Sequence, residues 1–114
     1  MEPTPDDVRT QLRRGTLEFC VLAHLARSPA YGQDIARALG RDRVLFASEG
    51  TLYPLLTRLR GRGWVDTTWQ ESPTGPPRRY HRLTDTGLAA LDAFVEVWRP
   101  YRAAVDHLLE GPTA

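Results

Sequence analysis

The run Gly50-Thr51-Leu52-Tyr53-Pro54-Leu55-Leu56-Thr57-Arg58-Leu59, followed by Gly61-Arg62-Gly63 and then Trp64-Val65-Asp66-Thr67-Thr68-Trp69-Gln70, changes its period part-way. Leu52, Leu55, Leu56 and Leu59 recur at helical spacing and predict a helix with one inward face. Ser48 or Thr51 can cap it, which puts Pro54 in or next to the first turn, where a missing donor costs little. Gly61 or Gly63 ends it. These two glycines resemble a phosphate-binding loop only superficially, because they follow a helix and not a strand. Trp64 to Gln70 and Arg78 to Leu83 are then rich in β-branched and aromatic residues, and they flank Glu71-Ser72-Pro73-Thr74-Gly75-Pro76-Pro77. That pattern predicts a hairpin with a type I turn at Ser72 to Gly75, and the prolines are expected to keep its tip out of ladder pairing.

Upstream, Val8, Leu12, Leu17, Val21, Leu22 and Leu25 predict a helix over Val8 to Ala26, with Asp6 and Asp7 placed against its N-terminal dipole. Gly15 weakens its middle, and Ser28-Pro29 ends it. A second, short helix is expected over Tyr31 to Leu39, with Ile35, Ala36 and Leu39 inward and Gly40 in a left-handed position after it. A polar link, Arg41 to Arg43, and the apolar Val44-Leu45-Phe46 lead to the third helix. Downstream, Thr84 can cap a final helix reaching to about Leu109. The expected fold is mainly α with a small β-hairpin, the layout of a winged helix-turn-helix with a C-terminal dimerisation helix. Thr51, Tyr53, Thr57, Arg58 and Arg60 are left on the third helix once its leucines go to the core. They are donors of the kinds that reach phosphates and base edges. Arg78 and Arg79 directly follow the rigid Pro76-Pro77, which would hold two cations at the base of a protruding loop.

The chain has 114 residues, 41% of them hydrophobic, which suits one folded domain. Residues 1–83 are expected to form the DNA-binding region and residues 84–110 the dimerisation helix, within one compact unit. No apolar window is long enough for a membrane span and the N-terminus lacks a signal pattern, so the cytoplasm is the expected location. Cys20, alone among apolar neighbours, forms no intramolecular disulfide and reads as a small core residue. His24, His81 and His107 have neither metal-site spacing nor a nucleophile beside them, so no metal, cofactor or catalytic residue is expected, and an enzyme is excluded. The net charge is only +1, but residues 50–82 contain six arginines against two acids, whereas residues 84–114 contain two against five. A basic middle joined to an acidic tail suits one part that meets phosphate and another that does not.

In the last helix Leu91, Phe94, Trp98, Tyr101, Val105 and Leu108 are spaced 3, 4, 3, 4, 3, a heptad seam widened by Leu88, Val95 and Leu109. This is more apolar surface than one small core covers, and it predicts a dimer interface. The alternative for the first part of the stripe is packing within the chain. Pro100 removes one helical hydrogen bond and is expected to bend or open the helix locally.

Three ordered blocks go further. Tyr31-Gly32-Gln33-Asp34-Ile35, then Gly50-Thr51-Leu52-Tyr53-Pro54-Leu55-Leu56-x-Arg58-Leu59, then Gly75-Pro76-Pro77-Arg78-Arg79-Tyr80-x-Arg82-Leu83-Thr84-x-x-Gly87 resemble PadR-family transcriptional regulators. The resemblance runs from about Leu12 to the last helix. It implies a homodimeric winged-helix repressor of double-stranded DNA, dimerised through the C-terminal helix and reading an inverted repeat. DNA-contacting roles carry over to Tyr31, Ser48, Thr51, Tyr53, Thr57, Arg58, Arg78 and Arg79. The single C-terminal helix departs from the longer members and resembles the short subfamily. Some members bind flat aromatic compounds between the dimerisation and DNA-binding helices, and Trp98, eleven residues after Gly87, stands at the matching place. Two readings of Trp98 stay open, a stacking platform for an aromatic effector and a plain interface anchor. The rival function is a winged-helix module that binds protein, which would not need the Arg78-Arg79 wing.

Overall fold

The computed structural model describes residues 2–42, 44–45 and 48–111. Phe46 and Arg43 of the expected link lie outside the described residues. The elements are α1 (Pro5–Arg27), β1 (Ala30–Tyr31), α2 (Gly32–Gly40), α3 (Glu49–Gly61), β2 (Val65–Ser72), β3 (Gly75–Leu83) and α4 (Asp85–Glu110). The described residues thus form four helices and a small antiparallel sheet of strand order β1-β3-β2.

Helix α1 starts before Val8 because Thr4 and Asp7 form a capping box. The Thr4 side chain accepts from the Asp7 N–H at 3.2 Å, and the Thr4 N–H donates to the Asp7 carboxylate at 2.9 Å. That backbone hydrogen bond, with the Thr4 side chain, holds the Asp7 carboxyl below its ordinary range. Pro5 at the first helical position needs no donor. Ser28 is extended ahead of Pro29, as expected. Gly40 does not take a left-handed conformation. It belongs to α2, Arg41 continues at φ −68° and ψ −30°, and the only glycines with positive φ among the described residues are Gly63 and Gly111. Asp42 makes the turn instead, its carboxylate accepting from the Val44 N–H at 2.8 Å.

Ser48, and not Thr51, caps α3, its hydroxyl accepting from the Thr51 N–H at 3.2 Å. Pro54 therefore falls just beyond the first turn, where its missing donor is not free of cost: it denies the Gly50 carbonyl a helical partner. At the other end the Trp64 N–H donates to the Leu59 carbonyl at 3.0 Å, which requires the left-handed Gly63 at φ 77°.

The hairpin pairs Val65↔Leu83 through Gln70↔Arg78. Its ladder extends further than the prolines predict: it breaks opposite Pro76 and Pro77, where two β3 residues face Glu71, and resumes at Ser72↔Gly75. Strand β1 adds a third member that two residues of sequence do not announce, pairing Ala30↔His81 and Tyr31↔Tyr80.

The core is built from Leu17, Val21, Leu22 and Leu25 of α1, Ile35 and Leu39 of α2, all four predicted leucines of α3, and Val65. Val8 and Leu12 stay exposed, because the first turns of α1 extend past it. Thr84 fastens α4 to the base of the hairpin. It caps the helix by accepting from the Gly87 N–H at 3.0 Å, donates from its hydroxyl to the Gly63 carbonyl at 2.6 Å, and donates from its N–H to the Trp64 carbonyl at 3.1 Å. Leu91 packs on the core, and Phe94 stacks on Phe19 of α1 with ring centroids 4.4 Å apart. The first two seam positions thus lie against their own chain. Beyond them Trp98, Tyr101, Val105 and Leu108 are exposed on a helix about 39 Å long that runs unbroken through Pro100. No helix among the described residues is long and apolar enough to cross a membrane.

Candidate nucleic-acid interface

With its leucines buried, α3 presents two polar flanks. One bears Tyr53, Thr57 and Arg60, at helical spacing of four and three. The Thr57 hydroxyl donates to the Tyr53 carbonyl at 3.1 Å and accepts from the Arg60 guanidinium at 3.2 Å. The Tyr53 ring lies over the Gly32 backbone, where a Cβ would stand 2.8 Å from a ring carbon. A side chain at position 32 would push the ring aside.

The hairpin supplies the facing wall. The Arg79 guanidinium donates to the Thr67 hydroxyl at 2.9 Å and lies 4.6 Å from the centre of the cross-strand Trp69 ring. Arg78 lies 5.7 Å from the Tyr31 ring. Tyr31 is the N-cap residue of α2 but makes no capping bond with its side chain. Its hydroxyl donates to Gln70 Oε1 at 3.1 Å, and its ring meets Tyr80 at 4.9 Å. Both wing arginines are therefore held by aromatic faces, which cuts the entropy lost when they bind an anion.

Tyr31, Tyr53, Thr57, Arg60, Arg78, Arg79 and His81 together line one cleft of about 470 Å³. Arg60 is pushed below its ordinary value by burial and by the Arg79 charge. His81 at the floor is buried, with Nδ1 lacking a hydrogen-bond partner among the described residues. Burial, then the Arg60 and Arg79 charges, depress its pKa against an opposing backbone hydrogen bond with Ala30. Cations are crowded here with no carboxylate in the lining, so the cleft favours an anion.

Five of the eight expected contact residues, Tyr31, Tyr53, Thr57, Arg78 and Arg79, thus come together. Ser48, Thr51 and Arg58 do not join them. They lie on the other flank of α3, in a second cleft beside α1. Arg60 was visible as a leftover donor on the helix, but its seven-residue spacing from Tyr53 is the signal that places it with the wing. Nothing in the linear sequence marks His81, whose place follows from the β1 pairing.

Residues 21–93 match the profile of the Transcriptional regulator PadR-like family. The chain belongs to the PadR-like family. A PadR-like transcription factor from Bacteroides fragilis is 41% identical, with a TM-score of 0.75 over 90% of this chain and 98% of that one. A PadR family transcriptional regulator from Eggerthella lenta is 37% identical, with a TM-score of 0.81 over 93% and 92% of the two chains. No curated protein matches the chain. As a PadR-like regulator, the chain has a winged-helix fold and acts in transcription regulation.

A third cleft, of about 560 Å³ and mostly apolar, lies between α1, Val44-Leu45 and α4, and Leu12, Cys20, Phe94, Trp98 and Tyr101 are among the residues that line it. Trp98 stacks on Phe94 at 5.6 Å. Burial, then the Asp42 charge, push the Cys20 thiol up, which suits an inert apolar residue.

Proposed function

We propose that this PadR-like regulator is a homodimeric repressor that reads an inverted-repeat operator in double-stranded DNA in the cytoplasm. Residues 1–83 serve as the DNA-binding region and residues 84–110 as the dimerisation helix. The observation that supports it most is the wing cleft of about 470 Å³, which donors of α3 and the two ring-held arginines line together. A helix flank and a wing arranged this way suit a major groove and its adjoining backbone. The dimer rests on Trp98, Tyr101, Val105 and Leu108, which α4 leaves exposed beyond its own core, with Leu91 and Phe94 setting the angle at which it leaves the domain. Selection of bound fragments from random duplex DNA, followed by footprinting, tests the reading. The expected site is an inverted repeat with half-sites about one helical turn apart. A single half-site held by one chain contradicts it, and failure to select any duplex favours the protein-binding module.

A specific observation also favours the stacking reading of Trp98. The indole borders an open apolar cleft and is 37% exposed, leaving part of its surface available to a flat aromatic effector. Such a ligand, wedged between α1 and α4, would shift the angle between the dimer helix and the DNA-binding helices and release the operator.

A further inference from the structure

The second cleft, between α1 and α3, has a volume of about 400 Å³, and Arg13, Arg14 and Arg58 wall it beside the Ser48 and Thr51 hydroxyls. Three cations in one concavity repel each other unless carboxylates answer them. Among the described residues none does: the ion pairs of the chain use Arg9, Arg37, Arg62, Arg82 and Arg102. Among the described residues Arg13 Nε is buried without a hydrogen-bond partner, and its Nη2 donates to the Val44 carbonyl at 3.5 Å. A buried guanidinium nitrogen left unpaired is costly, and an anion in the cleft would relieve it. The N-terminus of α3, a helix of 13 residues, adds a partial positive charge at the same place.

Position on α3 indicates which anion. At 3.6 residues per turn, Thr51 and Arg58 stand about 160° round the helix from Tyr53 and Arg60. A helix lying in the major groove has one phosphate backbone on each side, about 12 Å apart. On a helix so placed, the wing cleft would face one of them and the α1–α3 cleft the other.

The geometry points to a second phosphate seat formed by Arg13, Arg14 and Arg58, which holds a backbone phosphate of the operator strand across the groove from the wing. The inference rests on the DNA-binding reading above and adds α1 to the interface. Arg13 and Arg14 precede the residues matched by the family profile, which begins at residue 21.

Phosphate-ethylation interference on the selected operator, with wild type, R14Q and R13Q/R14Q, tests it. Arg14 is exposed and glutamine is a good helix former, so the single variant keeps α1 intact. Wild type should show interference at phosphates on both sides of the recognition groove. The double variant should lose only the set across from the wing, and its salt slope should become shallower by about 1.8, one phosphate per protomer at about 0.9 each. R14Q should weaken the same set, and the selected base sequence should not change. Wild-type interference confined to the wing side, or identical slopes for all three proteins, overturns the inference while leaving the DNA-binding reading standing. A wild type that binds no duplex overturns both. Titration with inorganic phosphate, followed by Arg side-chain NMR, separates the sources. Saturation by free phosphate with no loss of operator binding would assign the seat to a soluble phosphate ligand and overturn its role on DNA.

Discussion

Replacing Gly87 by alanine should unfold the joint between the wing and α4, whereas the same change at Gly15 should stabilise the chain. Both glycines sit in helices at negative φ, and alanine gains each about 0.5–1 kcal/mol of helix preference. A Cβ added at Gly15 would meet nothing within 4 Å, so that gain survives. At Gly87 the Cβ would overlap the Trp64 carbonyl oxygen and stand 2.7 Å from Leu83 Cδ1 and 2.9 Å from the Trp64 carbonyl carbon. Backbone cannot rotate away as a side chain can. The start of α4 must retreat by about an ångström or more, at an overpacking cost of about 1–3 kcal/mol. The retreat also pulls on the 3.1 Å and 2.6 Å hydrogen bonds from Thr84 to Trp64 and Gly63, each contributing about 1 kcal/mol. Net of the helix gain, Gly87→Ala should lose about 2–4 kcal/mol, a fall of roughly 10 °C or more in Tm. The assay is thermal melting by circular dichroism at one protein concentration, because a dimer's Tm depends on it. Gly87→Ala melting with or above wild type would refute the reasoning.

Aspartate at both Trp98 and Val105 places unpaired charge in the proposed seam, so sedimentation should show a monomer where wild type at micromolar concentration is a dimer. His81 has a depressed pKa in the folded chain, so the unfolded chain takes up its proton more readily. Its contribution is present above about pH 6.5 and is lost as pH falls through the lower folded value. Urea midpoints at pH 7.5 and 5.5 should therefore drop more for wild type than for His81→Leu, and equal drops would count against it. In a Trp64→Phe, Trp69→Phe background, a planar aromatic effector should quench Trp98 as it releases operator DNA. Release without any change in emission would place the ligand elsewhere.

The helices were legible because their apolar residues repeat at 3.6 and their caps are local: Thr84 and Ser48 need only the next turn to be recognised. Strand β1 was not, since two residues show no period and are extended only because β3 has an open edge beside them. Gly40 and Pro54 depart from expectation for a related reason. Gly40 looks like a helix stop until Asp42 is seen to make the turn, and the position of Pro54 depends on which of two hydroxyls caps the helix. The contact residues were individually visible as polar positions on α3 and the hairpin. Their division into two clefts was not, because it depends on where α1 crosses α3, and the partners Arg13 and Arg14 lie more than thirty residues upstream. The heptad likewise shows one continuous stripe, while the structure divides it at Phe94, where the ring stack on Phe19 ends the chain's own core.

Operator affinity across a salt series, for wild type and Arg78→Ala/Arg79→Ala, tests most directly whether the wing cleft grips DNA. Circular dichroism serves as the fold control, because Arg79 is half-buried and its guanidinium donates to the Thr67 hydroxyl. Each arginine that meets a phosphate contributes about 0.9 to the slope of log affinity against log salt. The double variant of a dimer should therefore bind every duplex more weakly, with a slope shallower by up to about 3.6. Coincident lines for the two proteins at every salt concentration would contradict the account.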